Sequence, residues 1–377
     1  MSYDLYVELS GESQEDVDNL VKGQHRGYSI PDISTRIQLL AGIAARTESV
    51  KDYTVSGDRK KGGGYKSLMH DRKNPNNTKY SQELIGPALE SLRSLGLEGG
   101  IPDLRILPPG SWFLQFTFTL AKPWISKDDD PFYVTESVNS VRKDKVFKVP
   151  MMAAASWKGL LRWTLMQIRL AQPVIVSPAG AKQSPDVFAQ ERFVQTLLFG
   201  DEQGEEPGQI KGFAKYVHAL NPKARAEYER LLCQYYRVKS DEPLPHHSGR
   251  LNFYPTFFNA IDVEVINPHS RETKAGTHPI YLECVPAGAQ GTFSLLYIPF
   301  DRFGQPEAKT CRQAAADLLL VAEGLQAMFL TYGFSAKRSS GYGVAQDEIQ
   351  GKVQTRADEK PLTRLSQLAQ EVKDVHF

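Results

Sequence analysis

Cysteine is scarce in this chain, with three among 377 residues, Cys233, Cys284 and Cys311. They are too few and too scattered for a disulfide framework or a zinc ribbon, so a reducing cytosol is the expected compartment. An excess of one charge is missing too, since 45 Lys and Arg face 44 Asp and Glu for a net charge of +1. Whole-chain basicity therefore says nothing about nucleic acid, and any such argument must rest on local patches. No apolar run suggests a bilayer-spanning segment, and no membrane partner is expected. The opening MSYDLYVELSGES has neither the basic start nor the apolar stretch of a signal peptide. No repeat of solenoid or propeller period is visible. The sequence has no GxSxG, CxxC, GxxxxGK[ST] or HExxH, which removes the usual signatures of classical hydrolases, dithiol oxidoreductases, P-loop enzymes and zinc proteases. What is present is ordinary for a globular protein, 41% hydrophobic and 24% charged residues. That composition excludes a disordered chain, and the length allows roughly two to three domains.

Residues 1 to 110 read as a mostly helical and loop extension. TRIQLLAGIAART (Thr35 to Thr47) has amphipathic helical spacing, and SQELIGPALESLRSLG (Ser81 to Gly96) suggests a helix with Ser81 as N-cap and Gly96 as its stop. Between them, VSGDRKKGGGYKSLMHDRKNPNNTKY is Gly- and Asn-rich without apolar period and predicts a long exposed loop. Eight Lys or Arg stand against three Asp from Lys51 to Lys79, which suits a solvated loop or a phosphate contact. The main folding unit spans 111 to 352. Trp112, Leu114, Phe116, Phe118 and Leu120 alternate with Gln115, Thr117 and Thr119, a strand with one buried face. An irregular excursion leads to the helix in AAASWKGLLRWTLMQIRLA, and a second strong helix covers Gln313 to Gly333. Strand-rich segments bracket the polar tip NPHSRETKAGTHP, giving a long hairpin near 261 to 285. Residues 353 to 377 read as a charged tail. Strand, helix, strands, helix, strand predicts an α+β fold, a ferredoxin-like sheet-and-helix core with insertions and an N-terminal extension.

Four constellations bear on chemistry. In PMMAAASWKGLLRW, helical spacing puts Lys158, Arg162 and Arg169 on one stripe and Trp157, Leu161, Thr164 and Ile168 on a neighbouring face. A cationic stripe beside uncapped helix amides suits phosphate; it equally suits an amphipathic helix with snorkelling basic stems. In YGFSAKRSSGYGVAQ, Gly333, Gly341 and Gly343 frame Lys337, Arg338, Ser339 and Ser340. Such a loop can bring backbone amides and two cations to a phosphodiester, or be a solvated turn with Tyr342 as its anchor. The hairpin tip carries His269, Arg271, Lys274 and His278, an arm for a nucleic-acid strand or a solvated loop. Asp128, Asp129 and Asp130 are the candidate catalytic residues, since clustered carboxylates can hold a divalent metal for phosphodiester cleavage, although adjacent side chains do not all face one way. No metal ligand set is expected outside that run.

These segments stand in an order that resembles the RAMP superfamily of CRISPR-associated proteins. VPMMAAASWKGLLRW resembles the family's IPGSSLKGALR helix motif, LFGDEQGE its LFG segment, NPHSRETKAGTHPIYLECVPAGAQGTF its IDRxTxxA…ERVPxGTxF hairpin, and KRSSGYGVA its C-terminal glycine-rich loop. The resemblance runs from about Trp112 to Val344 and is best to the backbone subunits of type III effector complexes. It implies an RNA-recognition-motif-like ferredoxin fold with guide RNA along the helix and the glycine-rich loop. The implied RNA contacts are Lys158, Arg162, Lys337, Arg338, Ser339, Gly341 and Gly343. His269, Arg271 and Lys274 would lie on the family's thumb, which props between guide and target. Val138 stands where the family's target-cleaving subunits place an Asp, in the segment Val138 to Asp144.

The resemblance thus implies a guide-RNA-binding backbone subunit of a CRISPR type III ribonucleoprotein that recognises complementary target RNA in the prokaryotic cytoplasm. Its partners would be guide RNA, target RNA and other effector subunits. No cofactor is expected for binding. The alternative is an endoribonuclease of the same superfamily. It would cut target RNA with Mg2+ at the Asp loop, or process precursor guide RNA with a histidine, His25 or His269. A third reading is an adaptor whose N-terminal region docks a partner.

Overall fold

The computed structural model describes residue 9 and residues 11–58, 63–127, 138–171, 184–202, 210–239, 242–267 and 280–377. Its centre is an antiparallel sheet on which two helices lie. In chain order the elements are β1 (Trp112–Leu120), α1 (Ala154–Met166), β2 (Leu251–Phe253), β3 (Gln290–Tyr297), α2 (Glu307–Ala327), β4 (Ala345–Gln354) and β5 (Glu359–Arg364). The sheet order is β5-β4-β1-β3-β2. The first strand is therefore central and pairs antiparallel with both β3 and β4. Without β5 this is the βαββαβ arrangement of the ferredoxin-like unit. The fold class is α+β, as the alternation of elements predicts.

Period-two burial of β1 sends Leu114, Phe116, Phe118 and Leu120 into the core, while Gln115, Thr117 and Thr119 are only half buried. Phe116 and Phe118 meet Phe293 of β3, Trp157 of α1 and Phe329 beyond α2, mostly edge to face. Such aromatic pairs contribute beyond the area they bury. Gly324 on α2 lets the two helices approach closely, because a Cβ there would lie 2.8 Å from Leu165 Cδ2. Helix α2 continues through a wide turn, Met328–Tyr332, and stops at Gly333 with φ +73°. Over the 26 residues from Glu307 to Tyr332 it is long and apolar enough to cross a bilayer, contrary to the sequence expectation. Its Leu318, Val321, Ala322 and Leu325 are instead fully buried within the protein.

The N-terminal region shares this core. Tyr65, Leu68, Met69, Tyr80 and Ile85 join the same apolar cluster as Phe118, Val263 and Val285. The predicted exposed loop is thus corrected. Lys66–Met69 forms a short helix with Leu68 and Met69 fully buried; with Tyr65 they stand at i, i+3 and i+4, a single helical turn too short to stand out within a polar, Gly-rich stretch. Ser81 is not an N-cap. It is buried within a wide helical turn, Ser81–Ile85, where its hydroxyl accepts from the Ile261 amide at 3.2 Å. Residues beyond 352 are not a mere tail. β4 crosses that position, β5 adds an edge strand, and Leu362, Leu365 and Leu368 are buried.

The strands Asp262–Ile266 and Ile280–Cys284 pair antiparallel within the predicted hairpin region, and they belong to a sheet separate from the main one. Val138–Asn139 runs parallel to the second of these strands. A buried Lys143–Glu283 ion pair ties the excursion to that strand, and Tyr65 binds the same carboxylate from the N-terminal region. Two predicted groups of site residues lie outside the described residues, namely Asp128, Asp129 and Asp130, and the hairpin tip with His269, Arg271 and Lys274.

Another buried cluster joins β2, β3 and α2. Arg250 Nη1 donates to Asp317 of α2 at 2.8 Å, and its Nε donates to Asp301 at 3.0 Å. Tyr297 donates to Asp317 at 2.7 Å. Arg250→Ala leaves two carboxylates facing a low-dielectric wall with no cation. Breaking a buried pair this way costs about 3–5 kcal/mol, so a drop of that size in unfolding free energy is expected in a urea titration followed by circular dichroism.

Candidate nucleic-acid interface

The glycine-rich loop and the segment after β1 are threaded together by backbone and side-chain bonds. Gly343 N donates to Pro123 O at 2.8 Å, Ala336 N to Ile125 O at 2.8 Å, and Phe334 N to Gly343 O at 2.8 Å. Ser335 Oγ accepts from Ile125 N at 2.7 Å and donates back to Ile125 O at 2.9 Å. Trp124 Nε1 donates to Phe334 O at 3.0 Å. Gly343 is part of this seam. Its φ is +67°, and a Cβ there would lie 2.3 Å from Ser335 Cβ. It is a packing glycine, while Gly341, with φ +80° and open space around its Cα, stays on the exposed side of the loop.

An open cleft of about 440 Å³ lies over this seam. Its walls are Trp124 to Ser126 and Arg142, then Met152, Ala153, Ser156, Gly159, Leu160 and Trp163 at the start of α1, then Phe334 to Ala336 and Arg338. Small residues on α1 keep the groove open. Ala153 offers no side-chain cap to the first turn of the helix, so amides of that turn are left for another acceptor. Among the described residues of the lining, Arg142 and Arg338 are the charged ones and none is a carboxylate. The Arg338 guanidinium lies 4.3 Å from the Trp163 ring centre. Its Nη1 is buried without a hydrogen-bond partner, and burial lowers the pKa of the group. A cation held on an aromatic face with an unsatisfied donor is poised for an anion.

Helical geometry separates the predicted contacts on α1 from this cleft. Ser156, Gly159, Leu160 and Trp163 face the cleft, and residues two positions along point roughly 200° away. Lys158 is half buried, and burial lowers its pKa most, followed by the repulsion of Arg162, with Asp201 opposing both. Arg162 caps the following insertion, donating to Gly200 O at 3.2 Å and Asp201 O at 2.9 Å, beyond the helix Pro185–Phe199. Basic groups commonly satisfy the last carbonyls of a helix in this way. Arg169 pairs with Glu323 of α2. Lys158 and Arg162 and the glycine-rich loop therefore do not line one cleft, unlike the shared RNA path that the resemblance implies for them.

On the loop, Lys337, Ser339 and Ser340 are exposed, Lys337 with φ +58° in the left-handed region. Tyr342 takes the anchoring role, donating to Glu264 Oε1 at 3.3 Å. Arg142 and Trp163 were not singled out from the sequence. Arg142 falls within the segment aligned to the family's Asp loop, and Trp163 lies one position past Arg162, so a search for aromatic–cation neighbours around the motif helix could have found both. His25 is closed to RNA. It is 1% exposed, with Asp16 Oδ1 3.7 Å from its Nδ1. Glu202 is buried against Arg192 at 2.6 Å. Among the described residues no cluster of His, Cys, Asp or Glu has the arrangement of a metal site.

Neither a protein-family model nor a curated protein matches this chain. Among solved structures, it is similar to a chain of the cryo-EM structure of the Type III-B Cmr-beta bound to cognate target RNA. That similarity has a TM-score of 0.38 and 12% identity and covers 84% of this chain and 91% of the other.

The seam predicts a separation of geometry from charge. Gly343→Ala adds one methyl where backbone and Ser335 already stand, and should lower the thermal midpoint and reduce any binding at the cleft with no change in charge. Gly341→Ala, in open space, meets only the cost of a positive φ, about 1 kcal/mol. Differential scanning fluorimetry of the two variants checks the order.

Proposed function

We propose that the protein is a guide-RNA-binding backbone subunit of a CRISPR type III ribonucleoprotein, and that the cleft between α1 and the glycine-rich loop holds the RNA backbone. The observation that carries this is the lining. Three segments distant in sequence bring two guanidinium groups to one open groove with no carboxylate among the described lining residues, and one guanidinium has a buried donor without a partner. Phosphodiester oxygens are the acceptors that such a site lacks. The groove has an aromatic floor in Trp163 and Trp124 rather than a closed pocket for a small substrate. Exposed Lys337, Ser339 and Ser340 extend donors along its rim.

Backbone contacts of this kind hold a strand without reading its bases. Sequence choice would then come from guide pairing with target RNA, and the neighbouring effector subunits would continue the groove. The hairpin at Asp262–Ile266 and Ile280–Cys284 projects beside the same face through Tyr342 and Glu264. That placement suits a thumb between guide and target.

The test is anisotropy of labelled single-stranded RNA across a salt series. Arg142→Ala with Arg338→Ala should weaken binding equally for unrelated sequences. It should also flatten the log–log salt slope by about 1.4, at roughly 0.7 per lost phosphate contact on single strands. Lys158→Ala should change the slope less, since its ammonium lies on the other side of α1. Unchanged affinity and slope in the double variant would sink the proposal. Running guide and complementary target with Mg2+ and with chelator separates scaffold from nuclease, and Mg2+-dependent cutting lost on replacing Asp128 to Asp130 would make the chain an RNase.

A further inference from the structure

A second cleft, of about 570 Å³, lies at the other end of α2. It is lined by Tyr235, Asp301, Arg302, Gln305, Lys309, Arg312 and Gln313. Helix and wide turn together span 26 residues from Glu307 to Tyr332, about 39 Å at 1.5 Å per residue. The two clefts are therefore separate sites.

Three cations converge here. Arg302 Nε is buried with no hydrogen-bond partner. Lys309 and Arg312 are exposed on the first turns of α2. Among the described lining residues the one carboxylate is already engaged, because Asp301 takes hydrogen bonds from Arg250 and from Tyr235. Gln313 donates its Nε2 to Asp317 at 2.8 Å, which leaves its carbonyl oxygen to accept. Gln305 adds an exposed amide. Phe300 and Phe303 flank Asp301 and Arg302 in the chain and are 65% and 86% exposed. Large aromatics that exposed on a short turn are spare stacking surface.

We propose that this second cleft binds a nucleotide, with its phosphate on Arg302, Lys309 and Arg312 and its base stacked on the Phe300–Phe303 turn. Guanidinium and ammonium groups beside exposed aromatics and an exposed amide are the combination that takes single-stranded nucleic acid or its monomers. A pocket of this volume accommodates one such unit. The inference stands apart from the proposed function, since it uses none of the residues of the first cleft.

The experiment is isothermal titration of the full chain with AMP, ATP, ribose 5-phosphate, inorganic phosphate and a short oligouridine RNA. It is run in the parent protein and in an Arg142→Ala, Arg338→Ala background that silences the first cleft. Arg302→Ala with Lys309→Ala should weaken nucleotide binding about tenfold or more, as loss of charge-assisted bonds does. Phe303→Ala should weaken AMP by roughly tenfold yet leave ribose 5-phosphate unchanged, as loss of base stacking requires. Exposed Lys309→Ala with Arg312→Ala repeats the charge test without touching a buried atom. Binding of the free nucleotides identifies a monomer site, and binding of oligouridine alone identifies a strand path; either supports the proposal. No binding of any nucleotide or RNA, or binding indifferent to these variants, overturns it. Retention of an acidic protein partner in place of nucleotide overturns it as well.

Discussion

The packing of Trp157 is the constraint on which the rest depends. Its ring stacks on Phe329 at 5.3 Å, meets Phe118 and Phe293 edge to face, and touches Phe334 at 5.1 Å. Its Nε1 donates to Thr256 Oγ1 at 3.0 Å. One side chain thus joins the central strands, both helices and the first residues of the glycine-rich loop. The start of α1 and the loop can face each other across an open groove only because this contact holds both from below. The groove is a gap between elements whose positions are set by a shared aromatic core.

Charge is used in two ways. Most buried cations serve as tethers. Arg162 closes on backbone carbonyls, Arg192 on Glu202, Arg250 on Asp301 and Asp317, and Lys143 on Glu283. Each tether places a carboxylate or carbonyl at the cation and cancels its field. Arg338 differs in that no carboxylate or carbonyl among the described residues is paired with it, and its guanidinium instead lies over the face of Trp163. Arg302, like Arg338, has an unmet buried donor. In a chain with a net charge of +1, total basicity does not distinguish paired cations from those left over after internal pairing.

Several features were legible in the sequence. The alternation of Trp112 to Leu120 made β1, the apolar run after Gln313 made α2, and the polar insert between strand-rich segments made the hairpin. The resemblance to the RAMP motifs pointed to the helix and loop that do meet. Burial confined to a single turn left too little pattern to be seen. Leu68 and Met69 lie in a polar, Gly-rich stretch and are still fully buried, in the same apolar cluster as Val263 of the hairpin. The stripe Lys158, Arg162, Arg169 was read correctly as one face, but which neighbour that face meets is not a property of the helix.

The sequence by itself determined the elements, their order and the side chains that share a face, because these follow from local periods of two and 3.6 residues. Tertiary structure alone decided which faces meet. It sent the basic stripe of α1 to the carbonyls after Phe199 and to Glu323, and the plain face with Ser156, Gly159 and Trp163 to the glycine-rich loop. Whether a given arginine is a tether or a binding group depends on what stands opposite it in space, and contacts between residues 163 and 338 leave no trace in either local period.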